Sequence, residues 1–381
     1  MSGASYDPGA RRDTPLALKL KERIRRDGPI TVEAYVVACL HDDAFGYYRH
    51  RPAIGTSADF VTAPEISQIF GELIGLWCAV TWQQMGMPPA FNLVEFGPGR
   101  GTMLRDALRA MRALPEALAA ARVLLVDSSS TLRAAQSQVL GSQPVPVTWI
   151  DKLDVAETAQ LPTILLGNEF LDTEPIEQFE RGATGWVTRR VCLDRAERLA
   201  FMAGEAVSAD VAKSLDQRFP DAKNGTIGEL HSIDHEFFVA LNLPSPRAAL
   251  LIDYGHVHSG AGDTLQAVRN HAYEHPLASP GEADLTAQVD FQQVVEAFAT
   301  GSMTVDGPVT QAEFLGSLGI MQRASRLMDK NPTKAPLIEA GVARLMSPTG
   351  MGSRFKAIGL RSPHLPPLPG FPVVDKSRSS P

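Results

Sequence analysis

The chain has 381 residues and a net charge of −7, with 44% hydrophobic and 21% charged residues. This length allows one enlarged domain or two, and the acidic balance argues against proteins that bind nucleic acid or anionic membranes, since both need a basic face. The three cysteines lack the spacing of disulfides or metal ligands, and no apolar run approaches a membrane span. Because Met1–Asp13 has no apolar segment of a signal peptide, we expect a cytoplasmic protein.

The first ninety residues are predicted to form a helical region of their own. Leu16–Arg26 has the pattern of an amphipathic helix, and a second helix is expected from Thr31 to Leu40, followed by a loop at Gly46–Tyr48. Thr62–Glu65 has the pattern of a capping box, in which the first hydroxyl accepts from the fourth N–H and the fourth carboxylate reaches back. The helix that starts there either offers free N–H groups to a ligand or only packs.

A glycine-rich turn follows the next apolar run. Residues 92–101, Asn-Leu-Val-Glu-Phe-Gly-Pro-Gly-Arg-Gly, predict a buried strand, a tight turn and the start of a helix. Gly97, Gly99 and Gly101 leave the backbone open to a ligand, but a dinucleotide fingerprint would place its third glycine one residue later. Glu95 suits a cationic aminoacyl sulfonium better than a pyrophosphate, so we predict an S-adenosylmethionine (SAM) site. The alternative is a strand–turn–helix corner without a ligand.

A second strand supports the cofactor hypothesis. Arg122–Asp127 is apolar up to its last residue, and Ser128–Ser130 is an N-cap cluster for the following helix. A carboxylate at the tip of the second strand is where a doubly wound sheet binds ribose hydroxyls. A simple charge at the helix start is the alternative for Asp127. Pro146–Ile150 is predicted as a third, short strand.

Polar residues follow two further apolar runs at the same predicted edge of the sheet. Thr163–Gly167 is the fourth strand and Ala248–Gly255 the fifth, and reactions in open α/β sheets occur at the carboxyl ends of such strands. Between them, residues 177–205 alternate as an antiparallel ribbon, and helices are expected to about Leu243. The polar residues at the edge are Asn168, Glu169, Asp172, Glu174, Asp253 and Tyr254.

At this point the sequence resembles the MidA-like proteins, class I SAM-dependent methyltransferases related to the mitochondrial complex I assembly methyltransferase. The resemblance covers nearly the whole chain, although Thr173–Glu177 and Gln288 depart from the usual family pattern. It rests on blocks in one order: Gly46–Tyr48, Asp59–Gln68, Phe70–Glu72, Glu95–Thr102, Asn168–Asp172, Pro175–Ile176, Gln178–Phe179, Asp253–Gly255, Gly262–Gln266, Pro276–Leu277, Pro280–Gly281, Asp284–Thr286, Val289–Phe291 and Arg354–Lys356.

The resemblance implies an α/β fold: a Rossmann-like class I SAM-dependent methyltransferase core with a helical N-terminal region and an inserted α+β subdomain. It also implies SAM as cofactor and dimethylation of a protein arginine on a subunit of respiratory complex I. The predicted segments are 1–90 (helical region and cofactor lid), 91–176 (first part of the core), 177–245 (inserted subdomain), 246–362 (remaining core with a loop-rich excursion at 256–290) and 363–381 (proline-rich tail).

A guanidinium substrate needs carboxylates that orient it by charge-assisted hydrogen bonds. We therefore assign Glu169 first, Asp172 second and Asp253 third as catalytic residues, with a solvated acidic loop or a helix cap as the alternative. We assign Tyr47, Glu174 and Tyr254 to substrate binding, and expect no metal. The cofactor-binding residues are predicted to be Thr62, Pro64, Glu65, Ser67, Glu95, Gly97, Gly99, Gly101, Asp127, Ser128 and Asn168, with the segment from Thr62 to Ser67 acting as a lid.

Three functions compete at this stage. The first is a protein arginine methyltransferase that matures complex I, and the second is a methyltransferase for a small molecule or another protein side chain. The third is a non-catalytic assembly factor that binds SAM and acts by docking. The intact glycine turn argues against the third, and the large insertion favours a macromolecular substrate over the second. The sequence leaves a monomer and a homodimer open.

Overall fold

A mostly parallel sheet forms the centre of the computed structural model, which describes residues 6–50, 62–154, 158–232, 235–299 and 303–372. The helices are α1 Pro15–Asp27, α2 Val32–His41, α3 Tyr47–His50, α4 Ala63–Ile66, α5 Gln68–Gln84, α6 Thr102–Met111, α7 Pro115–Ala120, α8 Ser130–Leu140, α9 Ala209–Arg218, α10 His235–Leu241, α11 Phe291–Ala299, α12 Gln311–Ser317, α13 Ile320–Lys330 and α14 Ala335–Met346, with 3-10 turns at Leu171–Thr173 and Pro332–Lys334. The strands are β1 Ile30–Thr31, β2 Phe91–Phe96, β3 Ala121–Val126, β4 Val147–Ile150, β5 Thr163–Asn168, β6 Ile176–Gly182, β7 Gly185–Leu193, β8 Leu199–Ala206, β9 Ile227–His231, β10 Arg247–His256, β11 Gln266–Arg269, β12 Ala272–Glu274, β13 Asp284–Thr286, β14 Val289–Asp290, β15 Thr304–Thr310 and β16 Phe355–Arg361.

The strands of the central sheet follow the order β4-β3-β2-β5-β10-β16-β15, with β14 beside β10. The first five are parallel, whereas β16 runs antiparallel to both of its neighbours. α5 and α6 pack on one face, and α10 and α11 pack on the other. Because both faces are covered, the central strands are apolar without alternation. This confirms the predicted α/β fold.

The register of the parallel strands explains why the predicted site residues meet. Phe96 of β2 lies beside Gly167 of β5, and Ile252 of β10 lies beside Asn168 of β5. Residues that follow these three strands therefore emerge next to each other at the carboxyl edge, where a doubly wound sheet binds its ligands.

A second, antiparallel sheet is built from the inserted segment and the N-terminal region. β6 pairs with β7 and β9, β8 pairs with β7, and β1 adds to β7 through Ile30 and Val191. α1 and α2 bury their apolar sides against this sheet, whereas α5 packs on the central sheet. The apolar faces of the first ninety residues are therefore buried in two different clusters. The predicted segment boundaries stay predictions.

Two predictions at the start of the chain need correction. The Thr62 hydroxyl makes no capping hydrogen bond, and the Glu65 carboxylate instead accepts one from the Thr102 hydroxyl at 2.5 Å, so there is no capping box. The expected loop at Gly46–Tyr48 is the start of α3. The first three residues of one block of the family resemblance, Asp59–Val61 of Asp59–Gln68, lie outside the described residues.

Two more corrections concern the later chain. The excursion at 256–290 contains the three-stranded sheet β12-β11-β13 rather than loops alone. The described part of the proline-rich tail packs on the core: Leu368 is buried, and the Trp77 indole donates to the Pro369 carbonyl at 3.0 Å. Residues 373–381 lie outside the described residues. Among the helices of the described ranges, none combines the length and apolar composition that crossing a bilayer requires.

Candidate active site

The glycine turn after β2 has the backbone conformation that its sequence predicts. Gly97, Gly99 and Gly101 have φ angles of 59°, 53° and 79°, in the left-handed region that favours glycine. Gly101 is also the N-cap of α6, and a Cβ there would lie 3.1 Å from the side chain of Leu140. The turn therefore needs glycine both for its backbone angles and for close packing against α8.

A cleft opens at this turn. It brings together seven of the residues that the sequence assigns to the cofactor, and adds Pro98, Arg100, Thr102 and Met103, which were not predicted. Glu169, predicted as catalytic, also lines it, so the cofactor and substrate assignments meet in one place. The lining residues are Thr62, Pro64, Glu65, Glu95, Gly97, Pro98, Gly99, Arg100, Thr102, Met103, Asn168 and Glu169.

Glu95 is the most deeply buried acidic residue of the cleft. Its side chain is 3% exposed, and its Oε2 has no hydrogen-bond partner among the described residues. Burial raises the pKa of this carboxyl to about 8. A buried acceptor without a partner costs free energy, and a cationic group of a ligand would relieve that cost. The cleft therefore fits the positively charged aminoacyl part of SAM.

A hydrogen-bond network fixes the second strand's carboxylate relative to the glycine turn. Asp127 accepts from the Ser129 N–H at 2.8 Å and from Gln136 Nε2 at 2.7 Å, and Gln136 Nε2 also donates to the Gly99 carbonyl at 2.8 Å. Trp149 Nε1 donates to Gln136 Oε1 at 2.9 Å. Burial raises the pKa of Asp127, while the bonds from Ser129 and Gln136 lower it. Gln136 thus links both predicted cofactor elements.

Sequence reasoning missed Gln136, although a signal was present. Leu132, Gln136 and Leu140 are spaced by four residues, so the glutamine had to lie on the buried face of α8. A buried amide on that face must find partners, and the glycine turn and Asp127 supply them. Ser128, in contrast, is exposed and does not line the cleft, and its carbonyl accepts from Arg49 Nη1 at 3.0 Å.

The predicted lid is placed only in part. Thr62, Pro64 and Glu65 line the cleft, and the Ala63 N–H donates to Glu169 Oε1 at 3.4 Å. Ser67 does not: its hydroxyl accepts from the Ile69 N–H at the start of α5, and it lines a separate groove between α4, α13 and α14. The cofactor assignment of Ser67 is therefore withdrawn.

Two acidic residues follow β5. Glu169 lines the cleft, whereas Asp172 is buried and is not one of the lining residues. Glu169 has a left-handed φ of 52°, which turns the chain sharply after the strand. Its Oε1 accepts from Ala63 N–H and from Asn168 Nδ2, at 3.4 and 3.2 Å. Asp172 is 5% exposed, and its Oδ1 has no partner in the described part of the chain. The pKa of each is raised to about 7, chiefly by burial, and for Glu169 next by the charge of Asp172.

Both carboxylate oxygens of Asp253 accept hydrogen bonds from the backbone. Its Oδ2 accepts from the N–H groups of Leu171 and Asp172 at 2.8 and 3.1 Å, and its Oδ1 accepts from the Tyr254 N–H at 2.8 Å. Asp253 therefore holds the turn that carries Asp172. Its assignment as a catalytic residue stays a prediction.

The predicted substrate residues are distributed unevenly. Tyr254 is half-buried, and burial first, then the Asp172 charge, raises the pKa of Tyr254 well above its usual value. Tyr47 is buried in the cluster formed by α1, α2 and the second sheet, so it does not line the cleft. Tyr48, in contrast, bonds to an acidic residue, since its phenol donates to Asp284 at 2.9 Å. Glu174 is half-buried beyond the 3-10 turn and does not line the cleft.

Comparison with known proteins agrees with this site. Residues 73–309 match the family described as "Putative S-adenosyl-L-methionine-dependent methyltransferase". The protein arginine methyltransferase NDUFAF7, mitochondrial, of Mus musculus is 35% identical, over 91% of this chain and 84% of that protein. The Homo sapiens protein of the same name is 33% identical, over 93% of this chain and 85% of that protein.

A solved structure is similar over almost its whole length. The crystal structure of a protein from Burkholderia thailandensis, bound to S-adenosyl-homocysteine, has a TM-score of 0.83 and 28% identity, and the match covers 93% of this chain and 94% of that chain. The prediction of a cytoplasmic location is contradicted, because the curated relatives are named as mitochondrial proteins. The chain belongs to the SAM-dependent methyltransferase family, with SAM as its cofactor.

Proposed function

We propose that this protein transfers a methyl group from SAM to an arginine side chain of a substrate protein, and that this substrate is a subunit of respiratory complex I. The observation that carries the proposal is the pair of carboxylates that follows β5: Glu169, which lines the cofactor cleft, and Asp172, which lies close enough for its charge to raise the pKa of Glu169 further after burial. Neither forms an ion pair with a Lys or Arg in the described part of the chain, and Asp172 keeps an unpartnered oxygen. A cation is the ligand that such a site stabilises.

Arginine fits these carboxylates better than other methyl acceptors. The guanidinium is charged at all physiological pH values, and its planar set of donors matches carboxylates in two directions. A neutral small molecule would leave the buried charges without compensation, at a cost of several kcal/mol. The relatives named as protein arginine methyltransferases, at about one-third identity over nine-tenths of the chain, support the same substrate class.

SAM supplies the methyl group on a positively charged sulfur, which makes the methyl carbon electrophilic. In this chain, the backbone of Gly97 and Gly99 would approach the cofactor, Glu95 would compensate its positive charge, and Asp127 would accept its ribose hydroxyls. Glu169, which lines the cofactor cleft, would hold the guanidinium. The proposal therefore gives Glu95, Asp127 and Glu169 a separate partner each.

The test is mass spectrometry of complex I subunits from a strain with this gene and from one without it. We expect one arginine to carry methyl groups only when the gene is present or restored. A peptide around that arginine should accept methyl groups from SAM in the purified system, and the same peptide with lysine at that position should not. Methylation of the lysine peptide, or identical subunit masses in both strains, would contradict the proposal.

A further inference from the structure

Methylation of a guanidinium releases a proton. The substrate is cationic before the reaction and cationic after it, while the sulfonium loses its positive charge, so one N–H proton of the arginine must leave. We propose that Asp172 accepts this proton through Oδ1, and that Asp253 and Tyr254 are the residues that position it. This assignment rests on the proposed arginine substrate and adds the catalytic base to it.

The geometry of Asp172 suits an acceptor. It lies in the 3-10 turn that directly follows β5, and its own N–H is fixed by Asp253 Oδ2 at 3.1 Å. Its carbonyl accepts from the Ala287 N–H at 3.0 Å, which ties the turn to the segment after β13. The backbone is therefore held at both polar groups. Because Oδ1 is buried and lacks a partner among the described residues, one lone pair of the carboxylate remains free.

Glu169 is the less suitable acceptor. Its Oε1 already accepts from a backbone N–H and from Asn168 Nδ2, and its side chain lines the cofactor cleft itself. Bonds of this kind favour the ionised form and hold the carboxylate in one orientation. These properties suit a group that binds the guanidinium throughout the reaction. We therefore assign guanidinium binding to Glu169 and proton acceptance to Asp172.

The neighbours of Asp172 determine when it is ionised. Burial raises its pKa to about 7, whereas the hydrogen bond from the Tyr254 phenol lowers it. Burial first, and then the charges of Asp172 and Glu169, raise the pKa of Asp253, so the three acidic groups lie close enough to interact. The titratable groups that face Asp172 are Glu169 from the β5 turn, Asp253 and Tyr254 from β10, Asp284 from β13, and Tyr48 from α3.

The step balances in atoms and charge. A guanidinium nitrogen forms a bond to the methyl carbon, the carbon–sulfur bond breaks, and its electron pair stays on sulfur. The N–H proton moves to Asp172 Oδ1, which becomes neutral. The methylated guanidinium keeps its single positive charge. An anionic acceptor at this position therefore removes the charge that the reaction would otherwise leave in a buried site.

The test compares Asp172→Asn with the wild-type enzyme and an arginine peptide. In the wild type, kcat/KM should rise with pH through about 7, where the carboxyl ionises. Asp172→Asn should lower kcat at pH 7 by about 100-fold or more. Its residual rate should keep rising with pH, since hydroxide replaces the lost acceptor. Peptide affinity, measured by calorimetry with S-adenosyl-homocysteine bound, should fall far less than kcat.

A second measurement does not depend on turnover. Binding of the cationic peptide to the wild-type protein with S-adenosyl-homocysteine at pH 7 should displace part of a proton, measured in buffers of different ionisation enthalpy. Asp172→Asn should displace less. Tyr254→Phe removes only the phenol, so it should move the rising limb of kcat/KM to higher pH, because the phenol lowers the pKa of Asp172 in the wild type.

Each outcome has one meaning. Wild-type turnover in Asp172→Asn, or a loss of peptide affinity that accounts for its whole defect, would overturn Asp172 as the base while leaving arginine methylation intact. If Asp172→Asn does not fold, an unchanged pH limb in Tyr254→Phe would overturn it instead. A wild-type enzyme that methylates no arginine would overturn the proposed function, and this assignment with it.

Discussion

Glu95 is a buried carboxyl whose ionisation is unfavourable until a cationic ligand binds beside it. The carboxyl is buried at the end of β2, and its pKa of about 8 lies above its ordinary value of 4.5. Between these two values the unfolded chain is ionised while the folded chain keeps the proton. The contribution of Glu95 to stability is therefore fully present below pH 4.5 and is lost as the pH rises through 8.

Replacing Glu95 with Gln should separate stability from binding. Without SAM, the Glu95→Gln protein should be more stable than the wild type at pH 8 by roughly 1–3 kcal/mol, and this difference should shrink towards pH 5. SAM affinity should fall about tenfold or more, because the charge that compensates the ligand is gone. Denaturant unfolding at both pH values and calorimetry with SAM would check this. Unchanged SAM affinity would mean that Glu95 is only a core residue.

Glu169→Gln tests the residue that we assign to the guanidinium. It keeps the side-chain shape and the acceptor oxygen for the Ala63 N–H, but removes the charge. We expect kcat/KM for the arginine peptide to fall about 30- to 1,000-fold, which corresponds to about 2–4 kcal/mol, with SAM affinity nearly unchanged. Glu177→Gln, at an exposed position of β6, is the control. Loss of SAM binding with normal turnover at saturating SAM would reverse the assigned roles.

At the scale of elements, the packing of α5 against α6 stabilises the helix that begins at the glycine turn. A Cβ on Gly75 of α5 would lie 2.2 Å from the Ala107 carbonyl of α6, and one on Gly71 would lie 2.7 Å from the Met103 carbonyl. These distances are shorter than any real contact. The two glycines therefore allow the helices to pack closely, and this packing fixes the helix that begins at the turn.

Gly75→Ala should destabilise the protein by about 1–3 kcal/mol, because the added methyl group forces α5 and α6 apart. The matched control is Gly260→Ala, since nothing lies within 4 Å of a Cβ at that position. Chemical denaturation of both variants would give the two free energies of unfolding. Equal stabilities would show that the helix pair adjusts without cost.

The elements that the sequence predicts correctly are those with a strong local pattern. The buried strands, the glycine turn and the Ser129 cap of α8 depend on residues within a few positions of each other. The errors come from long-range partners. The Thr62 capping box fails because Glu65 bonds to Thr102, and the sequence did not show that Asp253 bonds to backbone N–H groups in the turn after another strand. No local pattern contains such partners.

At the scale of the whole molecule, the N-terminal helices are part of the fold that supports the site. α1 and α2 share one apolar cluster with residues of β6, β7, β8 and the small sheet that contains β13. α3 follows directly, and its Tyr48 donates to Asp284 of β13. Removing residues 1–64 would expose this cluster, so such a deletion would report on folding rather than on the predicted lid.

Two leucines of α1 allow a sharper test of this connection. Leu20 is 2% exposed and faces the cluster, whereas Leu18 on the same helix is 50% exposed. Leu20→Ala should lower stability by about 2–5 kcal/mol, since it leaves a cavity, while Leu18→Ala should have little effect. Thermal unfolding followed by circular dichroism would measure both. If the N-terminal helices are part of one cooperative unit with the active site, Leu20→Ala should lower the temperature of the whole transition, and SAM should raise it again. A separate early transition, with the main one unchanged, would show that α1 and α2 unfold independently of the site.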